Sequence, residues 1–138
     1  AGGGLNILGR DYRYASVASQ RILVSNNVFA DLNPNPWGGT GRFLQLTDTI
    51  DLQLEHNTIF HTSNLITAYP GQTQPANTRF VFRNNLAPHN EYGVIGDGTA
   101  TGWGTLNQYF PNCVFTGNVL AGGAALMSGR SGGLRNAR

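Results

Sequence analysis

Lysine is absent from this 138-residue chain, and its nine basic residues, all Arg, face only seven acids. Charged residues make up 12% of the chain, about half the usual share. A coiled coil or helical bundle is therefore excluded, since both need abundant Glu and Lys beside Leu and Ala at helical spacing. Cys113 is the only cysteine, which excludes a disulfide framework. No apolar run approaches the roughly 18 residues of a membrane-spanning helix, so no membrane partner is expected. Arg130, Arg135 and Arg138 fall close to the end of the chain, and the remainder is nearly neutral. That body lacks the basic stripe a nucleic-acid binder needs. No signal-peptide pattern is present, so the residues themselves do not encode a compartment.

The chain is instead rich in Gly (19), Asn (15) and Thr (12), a turn-rich β composition. Four segments align without a gap: ILVSNNVF (22–29), LQLEHNTI (52–59), FVFRNNLA (80–87) and CVFTGNVL (113–120). Each reads apolar-x-apolar-x-x-Asn-x-apolar. The apolar pairs alternate with period two, as in a strand with one buried face. Asn27, Asn57, Asn85 and Asn118 then interrupt the alternation. Asn tolerates the left-handed backbone region, so each is read as the bend between two strands. One bend per repeat predicts one coil per repeat, with the four Asn stacked about 4.8 Å apart and their amides bonded in a ladder. A first strand is expected before each repeat, at residues 14–17, 43–46, 65–68 and 94–95, and a short third strand after each Asn. Residues 124–127 read as the start of a fifth coil.

The expected fold is all-β, a right-handed three-sided parallel β-helix of about four to five coils with an Asn ladder. Residues 1–13 are expected to form a partial coil or cap, 14–127 the coils, and 128–138 a Gly/Arg-rich tail. The spaced pattern resembles the right-handed parallel β-helix superfamily, the architecture of pectate lyases. Residues 80–98, followed by 109–111 and 114–120, resemble the C-terminal coils of bacterial right-handed β-helix repeat proteins. That resemblance implies a secreted or cell-surface protein of a group mostly without assigned activity; a polysaccharide partner is expected from the loop aromatics described next.

In β-helical enzymes of this type, the cleft lies over the first-strand sheet, flanked by loops. Here the loops between first and second strands cover residues 47–49, about 69–77 and about 96–112. Trp103, Tyr109 and Tyr69 lie in them, and Trp37 lies in the loop at 31–41. Aromatic rings with polar rims suit sugars, so these four are the candidate substrate-binding residues, with packing against the stack as the alternative. A lyase site needs clustered acids and an Arg or Lys base. The outward positions of the first-strand sheet are read as Phe43, Gln45, Leu65 and Thr67, none of them charged. The catalytic candidates are Asp48, Asp97 and Glu91, and an enzyme should set two of these or Asp31 around one aromatic groove. Asp48 and Asp97 would stand two rungs, ~10 Å, apart, near the separation for inverting hydrolysis. A second group is Glu55, His56 and Arg83, read either as acid–base machinery or as a cross-strand ion pair. His56 and His61 lack a third ligand, so no metal or cofactor is expected. The Gly-x-Ser-x-Gly match at 129–133 lacks the following acid and His of a nucleophile elbow.

Two functions are therefore expected: a carbohydrate-associated β-helix segment, binding or structural, without catalysis, or a glycan-active hydrolase, lyase or esterase. Leu23, Val81 and Val114 are read as an outward apolar column. With the open ends of a short stack, they predict self-association.

Overall fold

The computed structural model describes residues 1–122. They form twelve strands: β1 (Leu5–Leu8), β2 (Gln20–Ser25), β3 (Val28–Leu32), β4 (Leu44–Thr47), β5 (Ile50–Glu55), β6 (Thr58–His61), β7 (Ile66–Ala68), β8 (Val81–Arg83), β9 (Leu86–Pro88), β10 (Val94–Gly96), β11 (Val114–Thr116) and β12 (Val119–Ala121). One helix, α1 (Trp103–Tyr109), lies between β10 and β11. Every third strand joins the same sheet: β1-β4-β7-β10 (sheet A), β2-β5-β8-β11 (sheet B) and β3-β6-β9-β12 (sheet C). All strand pairs are parallel. The chain is a three-sided parallel solenoid whose four rungs are joined by three full turns. This is slightly fewer than the four to five coils expected. The fifth coil at 124–127, the tail at 128–138 and the Gly-x-Ser-x-Gly match lie outside the described residues.

The gapless alignment of the repeats is the register of sheet B. Ile22 pairs with Leu52 and Val24 with Leu54. Leu54 then pairs with Phe82, and Phe82 with Phe115. Leu52, Leu54, Phe80, Phe82 and Phe115 are buried, while Ile22, Val24 and Cys113 in the outer rungs are partly buried against the same core. Phe82 stacks on Phe115 with ring centroids 5.2 Å apart. A single coil cannot bury such side chains, so the stack is the folding unit.

The four Asn form the ladder. In the middle rungs every side-chain amide group is used. Asn57 Nδ2 donates to Val24 O (2.9 Å) and to Asn85 Oδ1 (3.0 Å), and its Oδ1 accepts from Asn27 N and Asn27 Nδ2 (3.1 Å each). Asn85 repeats this toward Leu54 O and Asn118 Oδ1. The left-handed residue of each bend, however, is not the ladder Asn. It is the residue before it: Asn26, His56, Asn84 and Gly117, with φ of 58°, 56°, 54° and 65°. The ladder Asn must turn inward to bond its neighbours, and the preceding residue makes the reversal. A matching left-handed column, Arg21, Asp51, Arg79 and Asn112, opens sheet B.

Two strand expectations change. Residues 14–17 form a loop, and the first-side strand of the first rung is β1, paired with β4. Asp11 is the cause. Its Oδ1 accepts from Arg13 N (2.6 Å) and Tyr14 N (3.0 Å), a local turn that competes with the sheet. Tyr12, Tyr14 and Val17 consequently lie exposed. On sheet A, Phe43 and Leu65 point inward and are fully buried. The chain is still rounding the corner from sheet C there, so Phe43 and Leu44, and likewise Leu65 and Ile66, all face the core. The outward column is Asn6, Gln45, Thr67 and Ile95, set by the pairing of β1, β4, β7 and β10.

Candidate functional site

On sheet A the acidic candidates differ in burial. Asp48 is buried, with 1% of its surface exposed, at the corner between β4 and β5. Its Oδ2 accepts from Gln72 N (2.8 Å), and its Oδ1 from Thr73 Oγ1 (3.0 Å) and Thr73 N (3.3 Å). A Cβ at Gly71 would land on this carboxylate. Asp48 is thus the anchor of loop 69–77, and its oxygens are turned away from solvent. Asp97 is exposed beyond β10, where its carbonyl accepts from the buried Tyr109 hydroxyl (2.8 Å). Burial raises the Tyr109 phenol above its usual pKa. Glu91 is exposed in the turn before β10 and raises the pKa of its neighbour Tyr92. The outer face of sheet A carries a polar cluster. Arg42 Nη1 donates to the Tyr69 hydroxyl (2.8 Å) and to Gln45 Oε1 (3.3 Å), and Tyr69 donates to the same Gln45 oxygen (3.2 Å).

On sheet B, Arg83 Nε donates to Glu55 Oε2 at 2.6 Å between adjacent rungs. His56 does not complete this pair. Its Nε2 lies 3.4 Å from Asn84 Nδ2, its neighbour in the left-handed column. Leu23 and Val114 are exposed on the same face and Val81 is half-buried, so no described loop covers that apolar column.

The four candidate aromatics are dispersed. Tyr109 is buried, Trp103 packs half-buried against the core from α1, and Tyr69 is held in the sheet A cluster. Trp37 alone presents an open ring, 59% exposed. Its Nε1 donates to Asp31 Oδ2 at 2.7 Å, and Asn33 Nδ2 donates to Asp31 Oδ1 at 2.6 Å. The Trp37 bond holds the Asp31 carboxyl below its ordinary pKa. Asp31 also has a left-handed backbone, φ 58°. It sits where the pairing of β3 with β6 shifts, Phe29 opposite Ile59 but Leu32 opposite His61. That bulge inserts one residue and re-aims its side chain.

Beside Asp31 lies a hollow of about 250 Å³, lined by Asp31, Leu32, Asn33, Phe60, His61, Thr62 and Pro88. Phe60 is 55% exposed. His61 is buried and saturated, with Nε2 3.0 Å from Pro88 O and Nδ1 3.2 Å from Asn90 Nδ2. These partners assign its proton to Nε2, and burial pushes the imidazole below its ordinary pKa. Phe60 and this hollow were not anticipated from the sequence. The available signal was the alternation after each ladder Asn: positions one and three beyond it face out on sheet C. Val28, Leu86 and Val119 occupy the first, with Thr58; Ala30, Phe60, Pro88 and Ala121 occupy the second.

Among the described residues, no three His, Cys, Asp or Glu side chains gather as a metal ion would require. Comparison with protein-family profiles, characterised proteins and solved structures finds no match to this chain.

Proposed function

We propose that this chain is a glycan-associated segment of a parallel β-helix that binds or presents carbohydrate without catalysing a reaction on it. The engagement of three of its carboxylates carries this reading. Glycoside hydrolysis needs two carboxyl groups flanking one bond. Here Asp48 is sealed beneath its own loop, Glu55 is paired with Arg83 on sheet B, and Asp31 is bonded to Trp37 at the end of sheet C. What stays open to solvent is an aromatic ring with polar groups at its edge, the chemistry that holds a sugar. The alternative, a glycan-active enzyme, would have to work through Asp97 and Glu91, the exposed acids on either side of β10.

The test is a polysaccharide panel assayed twice with the same protein, for retention and for released product. Retention of at least one polysaccharide with no new reducing ends, unsaturated ends or released acyl groups is expected. Turnover that survives Asp48→Asn and Asp97→Asn, or depends on either, would replace this reading with the enzymatic one. The uncovered apolar column of Leu23, Val81 and Val114 supports self-association of the chain. Light scattering at micromolar concentration is expected to give a mass above 14.8 kDa.

A further inference from the structure

We infer that the hollow at the end of sheet C is the sugar site, and that its ligand is a neutral glycan rather than a uronic-acid polymer. The inference rests on the glycan-binding reading and gives it a place and a substrate class. Three observations converge there.

The first is that an exposed ring, Trp37, is bonded to the carboxylate that borders a hollow lined by a second exposed ring, Phe60. Trp37 is bonded to Asp31 through its indole N–H, which fixes the ring, while Phe60 lines the hollow that Asp31 borders. A pyranose has apolar C–H faces and a hydroxyl rim, so aromatic faces and polar acceptors must occur together to hold it.

The second is that the polar groups bordering the hollow have spare capacity, most of it as acceptors. Each Asp31 oxygen takes one side-chain donor, Trp37 Nε1 or Asn33 Nδ2. A carboxylate offers about four lone-pair sites, so acceptor positions remain. The exposed Thr62 hydroxyl donates to Leu32 O at 3.3 Å and keeps its own lone pairs. Sugar hydroxyls supply the matching donors. His61 contributes packing only, since both its ring nitrogens are engaged.

The third is charge. The Asp31 carboxylate borders the hollow and would meet a uronate with like charge, with the Ala1 ammonium 3.6 Å from its Oδ2 as the neighbouring cation. No Arg lines the hollow. The site is also built rather than incidental. The bulge sets Asp31 in place, and loop 31–41 is stitched to the first strand's approach by Thr40 N and Gly41 N, which donate to Gly2 O at 3.0 and 2.8 Å. A ring held this way loses little freedom on binding.

The experiment is calorimetric titration with cellohexaose, xylohexaose, hexagalacturonate and hexaglucosamine, with indole fluorescence as a second signal. A neutral hexasaccharide is expected to bind and hexagalacturonate to bind at least about tenfold more weakly. Trp37→Ala is expected to weaken the neutral sugar about tenfold or more, and Phe60→Thr severalfold, with both variants melting cooperatively. Asp31→Asn is expected to narrow the gap between neutral and acidic sugars. If a hexasaccharide binds and these three variants leave its affinity unchanged while Arg42→Ala on sheet A weakens it, glycan binding stands and this site is wrong. Preference for hexagalacturonate or hexaglucosamine would overturn the substrate class. If none of the four binds, the glycan reading itself fails with it.

Discussion

The two corners that bound sheet B use the same backbone device and are held in opposite ways. Each has a column of left-handed residues, Arg21, Asp51, Arg79 and Asn112 on entry and Asn26, His56, Asn84 and Gly117 on exit. The exit corner is two residues long in every rung, whereas the entry gap runs from two residues between β4 and β5 to seventeen between β10 and β11. A corner of constant length stacks identical residues, so one amide ladder serves every rung. A corner of changing length cannot carry one side-chain ladder through every rung and needs a separate anchor for each loop. Asp48 serves for 69–77. In the longest loop, Thr105 Oγ1 donates to Ala100 O at 3.0 Å and Tyr109 donates to Asp97 O. The one short ladder on the entry side is Thr49 on Asn77, whose Oδ1 accepts from Thr49 N and Oγ1 at 3.1 and 2.9 Å. The lesson is that insertions are tolerated where bonding is particular and forbidden where it is shared.

The contrast is most strongly tested at Asn57. Replacing it by Ala removes its side-chain bonds to Asn27 N, Asn27 Nδ2, Val24 O and Asn85 Oδ1, and is expected to cost about 3 kcal/mol, the upper end for unsatisfied buried groups. Asn27→Ala, in an exposed outer position, is expected to cost about 1 kcal/mol. Denaturant unfolding of the two variants should separate them, and equal small losses would mean that the ladder does not hold the exit corner.

Asp48→Ala is expected to cost about 2 kcal/mol and to act locally. Amide exchange should accelerate in loop 69–77 while the ladder corner keeps its protection. Loss of protection across sheets B and C together would show that the two corners are one cooperative unit.

A smaller effect is expected from pH. The folded His61 imidazole titrates below its ordinary value of 6.5. Between the folded value and 6.5 the unfolded chain holds more protons, so stability rises with pH across that window. Stability is therefore lost as pH falls below 6.5, at less than about 1.4 kcal/mol per pH unit for a single proton. His61→Gln should flatten that part of the profile of unfolding free energy against pH; an unchanged slope would assign it elsewhere. The smallest change is expected from Glu55→Gln. Its partner Arg83 is 47% exposed, and such a pair contributes below about 1 kcal/mol. A double-mutant cycle with Arg83→Gln showing more coupling would make the pair part of the rung-to-rung bonding.

Position-by-position repetition made the rest legible. The apolar-x-apolar-x-x-Asn pattern by itself determined the coil, the register of sheet B, the column of Phe82 over Leu54 and the Asn ladder. In a solenoid the same position meets itself one rung away, so local pattern and tertiary contact coincide. The candidate site was only partly legible. Trp37 stood out as an aromatic in a long loop, but its bond to Asp31 depends on a bulge that no pattern announces, and Phe60 became visible only once sheet C was in place. Asp48 had the composition of a catalytic acid, and only the folded loop revealed it as an anchor. Phe43 and Leu65 turned inward because the chain rounds a corner there, and residues 14–17 follow a turn in which the Asp11 carboxylate takes the Arg13 and Tyr14 N–H groups. Each of these outcomes was decided by a tertiary contact or a local turn that occurs once in the chain. A contact made once leaves no period to read, so its energy is settled only when the whole stack has brought its partners together.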